Sequence, residues 1–427
     1  MTTPRRVLVV TYFYPPSTAV GGARWAAMAR HLRAMGHEVT VITSTVHGEL
    51  PGAAGAHVIR TWDLANAQTL RRVLRRPAKA APGTPTIDTT APRLLTRVVV
   101  PDSHVVSWMP GVLAATRRLL RERRVDCLVT SGPPDSTHLL GLALGRRRPS
   151  WIADFRDGWR FEPLAEPWPT RPQRMIEARL ERAVARGADV VLGATRPIAE
   201  DFAARLGARA EWVPNGWDPE LAADVQEAML PAVAGAGWAT LVHTGTLSGP
   251  RGRDPRPLLR ALRRINDEAG RRRRVRLVLA GRTTVEDQRL LAEAQLGDSV
   301  RHVGLLERRA ALALQRSADA LVLLTGSHSS EATGKLFEYL ASGRPILALA
   351  EANEAARIVR LTGTGVTVAP LDEERIAAAL RTVADGTIAD GYAPRELERF
   401  TYPGPAVAVA RLIEEAIARR GERGRAR

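Results

Sequence analysis

The polar run Thr325-Gly326-Ser327-His328-Ser329-Ser330-Glu331-Ala332-Thr333-Gly334-Lys335 lies between the apolar Leu321-Val322-Leu323-Leu324 and the amphipathic Leu336-Phe337-Glu338-Tyr339-Leu340-Ala341. A strand, a loop and a helix in that order aim the free N–H groups of the helix start at a ligand, and Lys335 adds a compact ammonium. That combination suits a diphosphate, each dipole or charge contact being worth about 0.3–1 kcal/mol when exposed. Glu338, one turn into the helix, can accept hydrogen bonds from a vicinal diol such as a ribose. Of the 62 Lys+Arg residues only Lys79 and Lys335 are lysines. In so arginine-rich a chain, a lysine marks either a place that needs an ammonium or chance.

Three further clusters combine polar groups with loop chemistry. In Trp151-Ile152-Ala153-Asp154-Phe155-Arg156-Asp157-Gly158-Trp159 a strand ends in two carboxylates bracketing an arginine, at the edge where parallel sheets hold ligands. Asp157 can orient or deprotonate an acceptor hydroxyl and Arg156 can meet an anion; the alternative is a pair that only holds a loop. Ser131-Gly132-Pro133-Pro134-Asp135-Ser136-Thr137-His138 follows another strand, and His138 either faces a ligand or packs in a helix. Between the first strand and first helix, Gly21-Gly22 lets backbone N–H groups approach an anion or sugar hydroxyl, or simply makes a tight turn. Neither a Gly-x-Gly-x-x-Gly fingerprint nor a P-loop occurs.

These residues need elements to position them. At 427 residues the chain calls for two domains, and 45% hydrophobic with 25% charged residues is a globular composition. Short β-branched runs alternate with amphipathic stretches, the mark of parallel α/β units, and they do so twice. Strands are predicted at Arg6–Tyr12, Glu38–Ile42, Cys127–Thr130, Ser150–Ala153 and Asp189–Leu192, with helices at Gly22–Met35, Glu177–Arg186 and Ile198–Leu206. The second series has strands at Thr240–Thr244, Arg276–Ala280, Leu321–Leu324 and Pro345–Ala348, and helices at Pro257–Ala269 and near Gly334–Ser342. Pro214-Asn215-Gly216-Trp217-Asp218-Pro219 marks the boundary, with a hinge and a cleft between two sheets. Gly48–Thr96, rich in Gly, Pro and Ala and carrying Arg71-Arg72-Val73-Leu74-Arg75-Arg76, reads as a solvated excursion. The tail Gly421–Arg427 is expected to fray.

A net charge of +17 is compatible with nucleic acid, an anionic membrane surface or an anionic small substrate. The 60 arginines point mainly to a GC-rich coding bias. Cys127 stands alone, which excludes an internal disulfide and a Cys-based metal site and fits a reducing cytoplasm. Pro15-Pro16 interrupts the first apolar run, so no secretory leader is read, and nothing approaches the ~20 apolar residues of a membrane span.

Taken together, Val7–Ser44 with its Tyr-Pro-Pro and Gly-Gly, the Asp154–Trp159 box, Val213-Pro214-Asn215-Gly216, His243-Thr244-Gly245, Leu279-Ala280-Gly281, Val303-Gly304-Leu305 and the stretch Lys335–Ile346 resemble glycosyltransferase family four, in order over nearly the whole chain. The resemblance implies an α/β GT-B fold: two Rossmann-like domains facing an interdomain cleft, residues 1–214 binding the acceptor and 215–398 the nucleotide sugar. Residues 399–427 would form a C-terminal helix and tail returning to the first domain. It also implies metal-independent transfer with retention of anomeric configuration, without a cofactor.

Carried across residue by residue, the resemblance makes Glu338 the second glutamate of the family's Glu, seven residues, Glu motif, holding the donor ribose. The first position falls on Ser330, with Glu331 one residue out of register; either Glu331 reaches the hexose, or Ser330 and backbone groups replace it. Gly245-Thr246 lacks the family's arginine, and Arg253 is favoured over Arg251 as the second diphosphate cation beside Lys335. Thr333, Gly334 and Leu336 complete the diphosphate loop, and Gly304 and Leu305 match the segment that reads the nucleobase, with Glu307 close by. Arg156-Asp157 occupies the place of the family's usual histidine, so Asp157, Arg156, Lys335 and Arg253 are the catalytic candidates. Gly21, Gly22, Asp154, Trp159 and His138 are the acceptor candidates.

The function implied is hexosyl transfer from a nucleoside diphosphate sugar, a UDP-sugar favoured, to a hydroxyl of a small molecule or a lipid-linked sugar. Peripheral contact with the inner membrane face is allowed. The alternatives are a GT-B-like UDP-sugar epimerase and a basic nucleic-acid-binding protein; against the latter stands the lack of a recognised binding module.

Overall fold

A computed structural model describes residues 3–17, 20–46, 48, 57–64, 98–163, 166–222, 235–249, 252–270 and 272–425. Two compact units form: residues 1–214 with 403–427, and residues 215–402.

Unit 1 is built on seven parallel strands: β1 (Arg6–Thr11), β2 (Glu38–Ser44), β3 (His57–Thr61), β4 (Cys127–Gly132), β5 (Ser150–Phe155), β6 (Val190–Gly193) and β7 (Ala210–Trp212), in the order β3-β2-β1-β4-β5-β6-β7. The central strands read Val-Leu-Val-Val, Cys-Leu-Val-Thr and Trp-Ile-Ala-Asp and are buried throughout, as expected of a sheet covered on both faces. Leu8, Val10, Leu128, Trp151 and Phe155 share one apolar cluster with Trp108 and Phe202 from the covering segments. The order reverses between β1 and β4, whose register pairs Thr11 with Ser131. Loops after those two strands therefore diverge and leave the crevice where such sheets bind ligands.

Two sequence expectations need correction here. His57–Thr61 lies inside the supposed excursion but forms β3, pairing Thr40 with His57 through Ser44 with Thr61; an edge strand needs little apolar pattern to hold its ladder. Lys79 and the arginine-rich run 71–76 lie outside the described residues, as does Arg251. The return to unit 1 begins at Pro403, not at residue 399, because Thr401 bridges to Trp217 in unit 2. Helix Gly404–Arg425 packs on helix Val20–Ala34 and on β4 and β5, burying Val409, Leu412 and Ile413. Arg5 adds a two-pronged ion pair to Glu414 at 2.8 and 2.6 Å.

Unit 2 has six parallel strands: β8 (Trp238–Thr244), β9 (Arg274–Ala280), β10 (Val300–His302), β11 (Ala320–Leu324), β12 (Ile346–Leu349) and β13 (Gly365–Val368), ordered β10-β9-β8-β11-β12-β13. Helices Arg256–Asn266 and Glu373–Asp385 cover one face through Leu258, Leu262, Ile376 and Leu380, packed on Leu241, Leu277 and Val322. Its reversal falls between β8 and β11. No helix among the described residues is long and apolar enough to cross a membrane.

Candidate active site

In unit 2 the reversal point carries a glycine cradle. β8 runs into Gly245, whose φ of +135° is left-handed backbone that favours glycine. Gly281, after β9, has φ +143°, and a Cβ there would stand 2.8 Å from Gly245 O. Gly245 N donates to Ala280 O at 2.7 Å and Gly281 N to Gly304 O at 2.9 Å, so the turns after β8, β9 and β10 are stitched edge to edge. Thr244 N donates to Tyr339 Oη at 2.9 Å. A Cβ on Gly245 would lie 3.8 Å from Lys335 Cε, so the bare backbone of that turn faces the lysine.

Helix Gly334–Leu340 supplies Lys335 and Glu338 from one face. Lys335 Nζ lies 3.2 Å from Glu338 Oε2, Gln315 Nε2 reaches the same oxygen at 3.4 Å, and Arg308 stands 3.8 Å from Oε1. Gln315 is fully buried and also donates to Thr244 Oγ1 at 3.0 Å. The second cation, Arg253, meets Glu331 Oε1 at 3.3 Å, while Gly326 N donates to Oε2 at 2.8 Å. Glu331 is thus a buried clamp on its own loop and on Arg253, with both oxygens engaged. Ser330 is buried too. Arg253 Nε and Thr333 Oγ1 are closed to solvent without a hydrogen-bond partner among the described residues, two polar groups that a ligand would satisfy. His243 sits beneath, its ring nitrogens 3.0 Å from Val322 O and 3.1 Å from Thr246 O; burial lowers its pKa and the nearby Arg253 and Lys335 charges reinforce this. Gly304 has φ +79° and Leu305 is exposed.

Unit 1 treats its candidates differently. Asp154 is fully buried and accepts from Arg24 Nη2 at 3.0 Å, Trp25 Nε1 at 2.7 Å and Ser131 Oγ at 2.8 Å. Burial alone would raise its pKa, but the Arg24 charge and these donors outweigh that and hold it below the usual range. Arg24 also binds Val213 O and Pro214 O at 2.9 and 2.8 Å. Asp154 therefore anchors the end of the first chain segment and has no face left for an acceptor. His138 is a packed histidine: fully buried, stacked on Phe155 with centroids 4.1 Å apart, and 2.9 Å from Thr130 Oγ1. Burial pushes its pKa down to about 3. Trp159 is likewise buried, beside Phe155. Gly21 and Gly22 fall in the first turn of helix Val20–Ala34, where a Cβ on Gly22 would press within 3.4 Å of Tyr14 Cα.

Arg156 and Asp157 lie just past β5, partly exposed. Arg156 Nε donates to Gly132 O at 2.6 Å and its guanidinium lies over the Phe13 ring, 5.9 Å from the centroid. Asp135, on the neighbouring loop, has its pKa raised by burial and by the charges of Asp102 and Asp157. Among the described residues no group of three or more His, Cys, Asp or Glu is placed to hold a metal.

Residues 21–216 match the family described as a glycosyl transferase 4-like domain, and residues 239–385 that described as glycosyl transferases group 1. The chain is a GT-B glycosyltransferase of the family-four-like type. Solved structures share the fold over nearly the full length. Sucrose-phosphate synthase from Thermosynechococcus elongatus superposes with a TM-score of 0.65 at 18% identity, covering 97% of this chain and 99% of that one. WaaG, a glycosyltransferase involved in lipopolysaccharide biosynthesis, gives 0.57 at 16%, covering 95% and 99%. UDP-GlcNAc 2-epimerase from Methanocaldococcus jannaschii gives 0.53 at 10%, covering 96% and 99%. No curated protein matches the sequence. In this glycosyltransferase, Gln315, Tyr339, Arg308 and Arg24 contact the candidate residues or the turns that carry them; none stood out in the sequence as a candidate, because each acts through a partner distant along the chain.

Proposed function

We propose that this glycosyltransferase moves a hexosyl group from a nucleoside diphosphate sugar, a UDP-sugar favoured, to an acceptor hydroxyl, with retention of configuration and without a metal ion. The observation that carries the reading is the convergence of Lys335, Arg253 and the Gly245 turn at the reversal point of the unit 2 sheet. Cleavage of the sugar–phosphate bond leaves negative charge on the β-phosphate. Lys335 and Arg253 stabilise that charge where it develops, which lowers the barrier more than it tightens ground-state binding. Arg253 is held by Glu331 and Lys335 by Glu338; the arriving diphosphate competes for both cations. Glu338, with Gln315 fixing Oε2, keeps Oε1 for the ribose diol.

Unit 1 takes the acceptor at the edge beyond β1, β4 and β5. Asp157 or the departing phosphate accepts the acceptor proton. The acceptor is a small molecule or a lipid-linked sugar, and the enzyme works in the cytoplasm, where nucleotide sugars are made, with contact to the inner membrane face allowed by its basic charge.

A panel of nucleotide sugars screened by thermal shift, followed by NMR of the product anomer, tests this. One sugar nucleotide raising Tm and yielding a product with the donor's anomeric configuration is expected. Nucleotide release that needs no acceptor, with a 2-epimeric sugar as product, would replace the reading with an epimerase.

A further inference from the structure

Asp287 is fully buried at the third position of helix Val285–Ala294, which follows the Gly281 turn. One of its oxygens closes a capping box: Thr284 N donates to Oδ2 at 3.0 Å, and Asp287 N donates to Thr284 Oγ1 at 3.0 Å. That task needs a single acceptor, and the neutral Gln173 performs it at the start of helix Arg171–Gly187. The other oxygen, Oδ1, reaches the loop after β8 and accepts from Ser248 N at 2.7 Å. Ser248 Oγ adds a contact to Thr284 Oγ1 at 3.2 Å. Burial raises the Asp287 pKa, but the donors from Ser248 and Thr284 outweigh it and hold the carboxyl below its usual range, so both oxygens are free to accept.

The loop tethered in this way carries Arg253. Thr246 O meets His243 Nε2 at 3.1 Å, Leu247 is buried in the unit 2 core, and Ser248 is held by Asp287. Gly249 then pairs with Arg253 as an antiparallel bridge. A Cβ on Gly249 would stand 3.3 Å from Arg253 Nη1 and 3.4 Å from Cζ, so the guanidinium rests against that glycine. Glu331 holds the far end, Nη2, at 3.3 Å, and Nε is closed to solvent without a hydrogen-bond partner among the described residues. A guanidinium with one long ion-pair contact takes its position from the backbone it rests on, and a shift at Ser248–Gly249 moves it.

We infer that Asp287 is a positioning residue: through Ser248 and Gly249 it sets where Arg253 meets the β-phosphate of the donor. The diphosphate contact rests on the proposed donor reading, whereas the tether is a property of unit 2 by itself. A misplacement of about 1 Å at a catalytic contact can cost about 100-fold in rate, so a buried carboxylate one loop away governs the charge that meets the leaving group without touching the substrate.

Calorimetry with UDP and UMP on full-length Asp287→Asn tests this. The amide keeps the shape but turns an NH2 group toward one of the two N–H donors. UDP is expected to bind about tenfold more weakly and UMP within about twofold of wild type, because UMP lacks the β-phosphate that Arg253 meets. A general loss of structure would weaken both nucleotides alike. Thr284→Ala, which breaks the capping box and spares the Ser248 tether, should lower Tm and leave the ratio of UDP to UMP affinity unchanged. In an Arg253→Gln background, Asp287→Asn should cost UDP no further affinity, as a residue acting through Arg253 must. Asp287→Glu, which still caps the helix but moves the tether point by one methylene, serves if the Asn variant fails to fold, with the same fall in the ratio expected. An unchanged ratio in the Asp287 variants, or the same loss in both Arg253 backgrounds, overturns the inference. If Arg253→Gln binds UDP as wild type does, the donor reading fails instead, and hydrogen exchange over residues 246–249 of the free protein decides the tether: faster exchange in Asp287→Asn than in Thr284→Ala upholds it, and equal exchange overturns it.

Discussion

Lys335 Nζ stands 3.2 Å from Glu338 Oε2, one turn along a seven-residue helix. The lysine is 40% exposed, and a pair in that setting contributes about 0–1 kcal/mol to stability. Its worth is in position: the pair holds the cation beside the Gly245 turn, where the proposed donor diphosphate would compete for it.

Glu338 is expected to read the ribose. Glu338→Ala should weaken UDP at least tenfold yet bind 2′-deoxy-UDP nearly as wild type does, because the 2′-hydroxyl is the partner it loses. Calorimetry with both nucleotides checks this; equal weakening of the two would remove Glu338 from the sugar.

Gln315 orients that carboxylate from full burial. Gln315→Leu should raise the KM for the donor more than it lowers kcat, since the residue touches Glu338 and Thr244 rather than the reacting atoms. An unchanged KM would make Gln315 a packing residue only.

Gly281→Ala places a methyl group 2.8 Å from Gly245 O in a backbone region of φ +143°. Strain of about 1–3 kcal/mol is expected, together with a displaced Gly245 turn and several-fold weaker UDP binding. A variant with wild-type Tm and UDP affinity would show that the cradle does not depend on this contact.

Asp154→Ala leaves the Arg24 guanidinium buried without its partner, a loss of about 3–5 kcal/mol. Chemical denaturation should show it in the unit 1 transition alone. A cost below about 1 kcal/mol would return Asp154 to the surface and to the acceptor.

His138 gives the protein a pH signature. Its pKa is about 3 folded, against 6.5 for the free side chain, so between those values the unfolded chain binds the extra proton. Stability from this group is complete above pH 6.5 and is lost progressively as pH falls toward 3. His138→Phe, which keeps the stack on Phe155, should flatten the decline in that window; identical pH profiles for the two proteins would rule the group out.

Much of this was readable in the sequence. The alternation of β-branched runs and amphipathic stretches located both sheets, and Lys335 and Glu338 were legible because their spacing is local to one helix. Asp154 misled because a carboxylate ending a strand looks the same whether it faces a ligand or an arginine 130 residues away. Glu331 likewise faces Arg253, 78 residues distant. β3 escaped notice because five residues at a sheet edge, with only the adjacent Val58 and Ile59 apolar and no alternation, carry almost no periodic signal.

In the proposed mechanism Lys335 acts on the diphosphate as it departs. The most direct measurement is kcat/KM for glycosyl transfer by Lys335→Ala, made with the best donor from the nucleotide-sugar panel. A loss of about 100-fold or more with an unchanged Tm is predicted, in line with removal of a charge aimed at the leaving oxygen. Transfer within threefold of wild type would remove Lys335 from the leaving group.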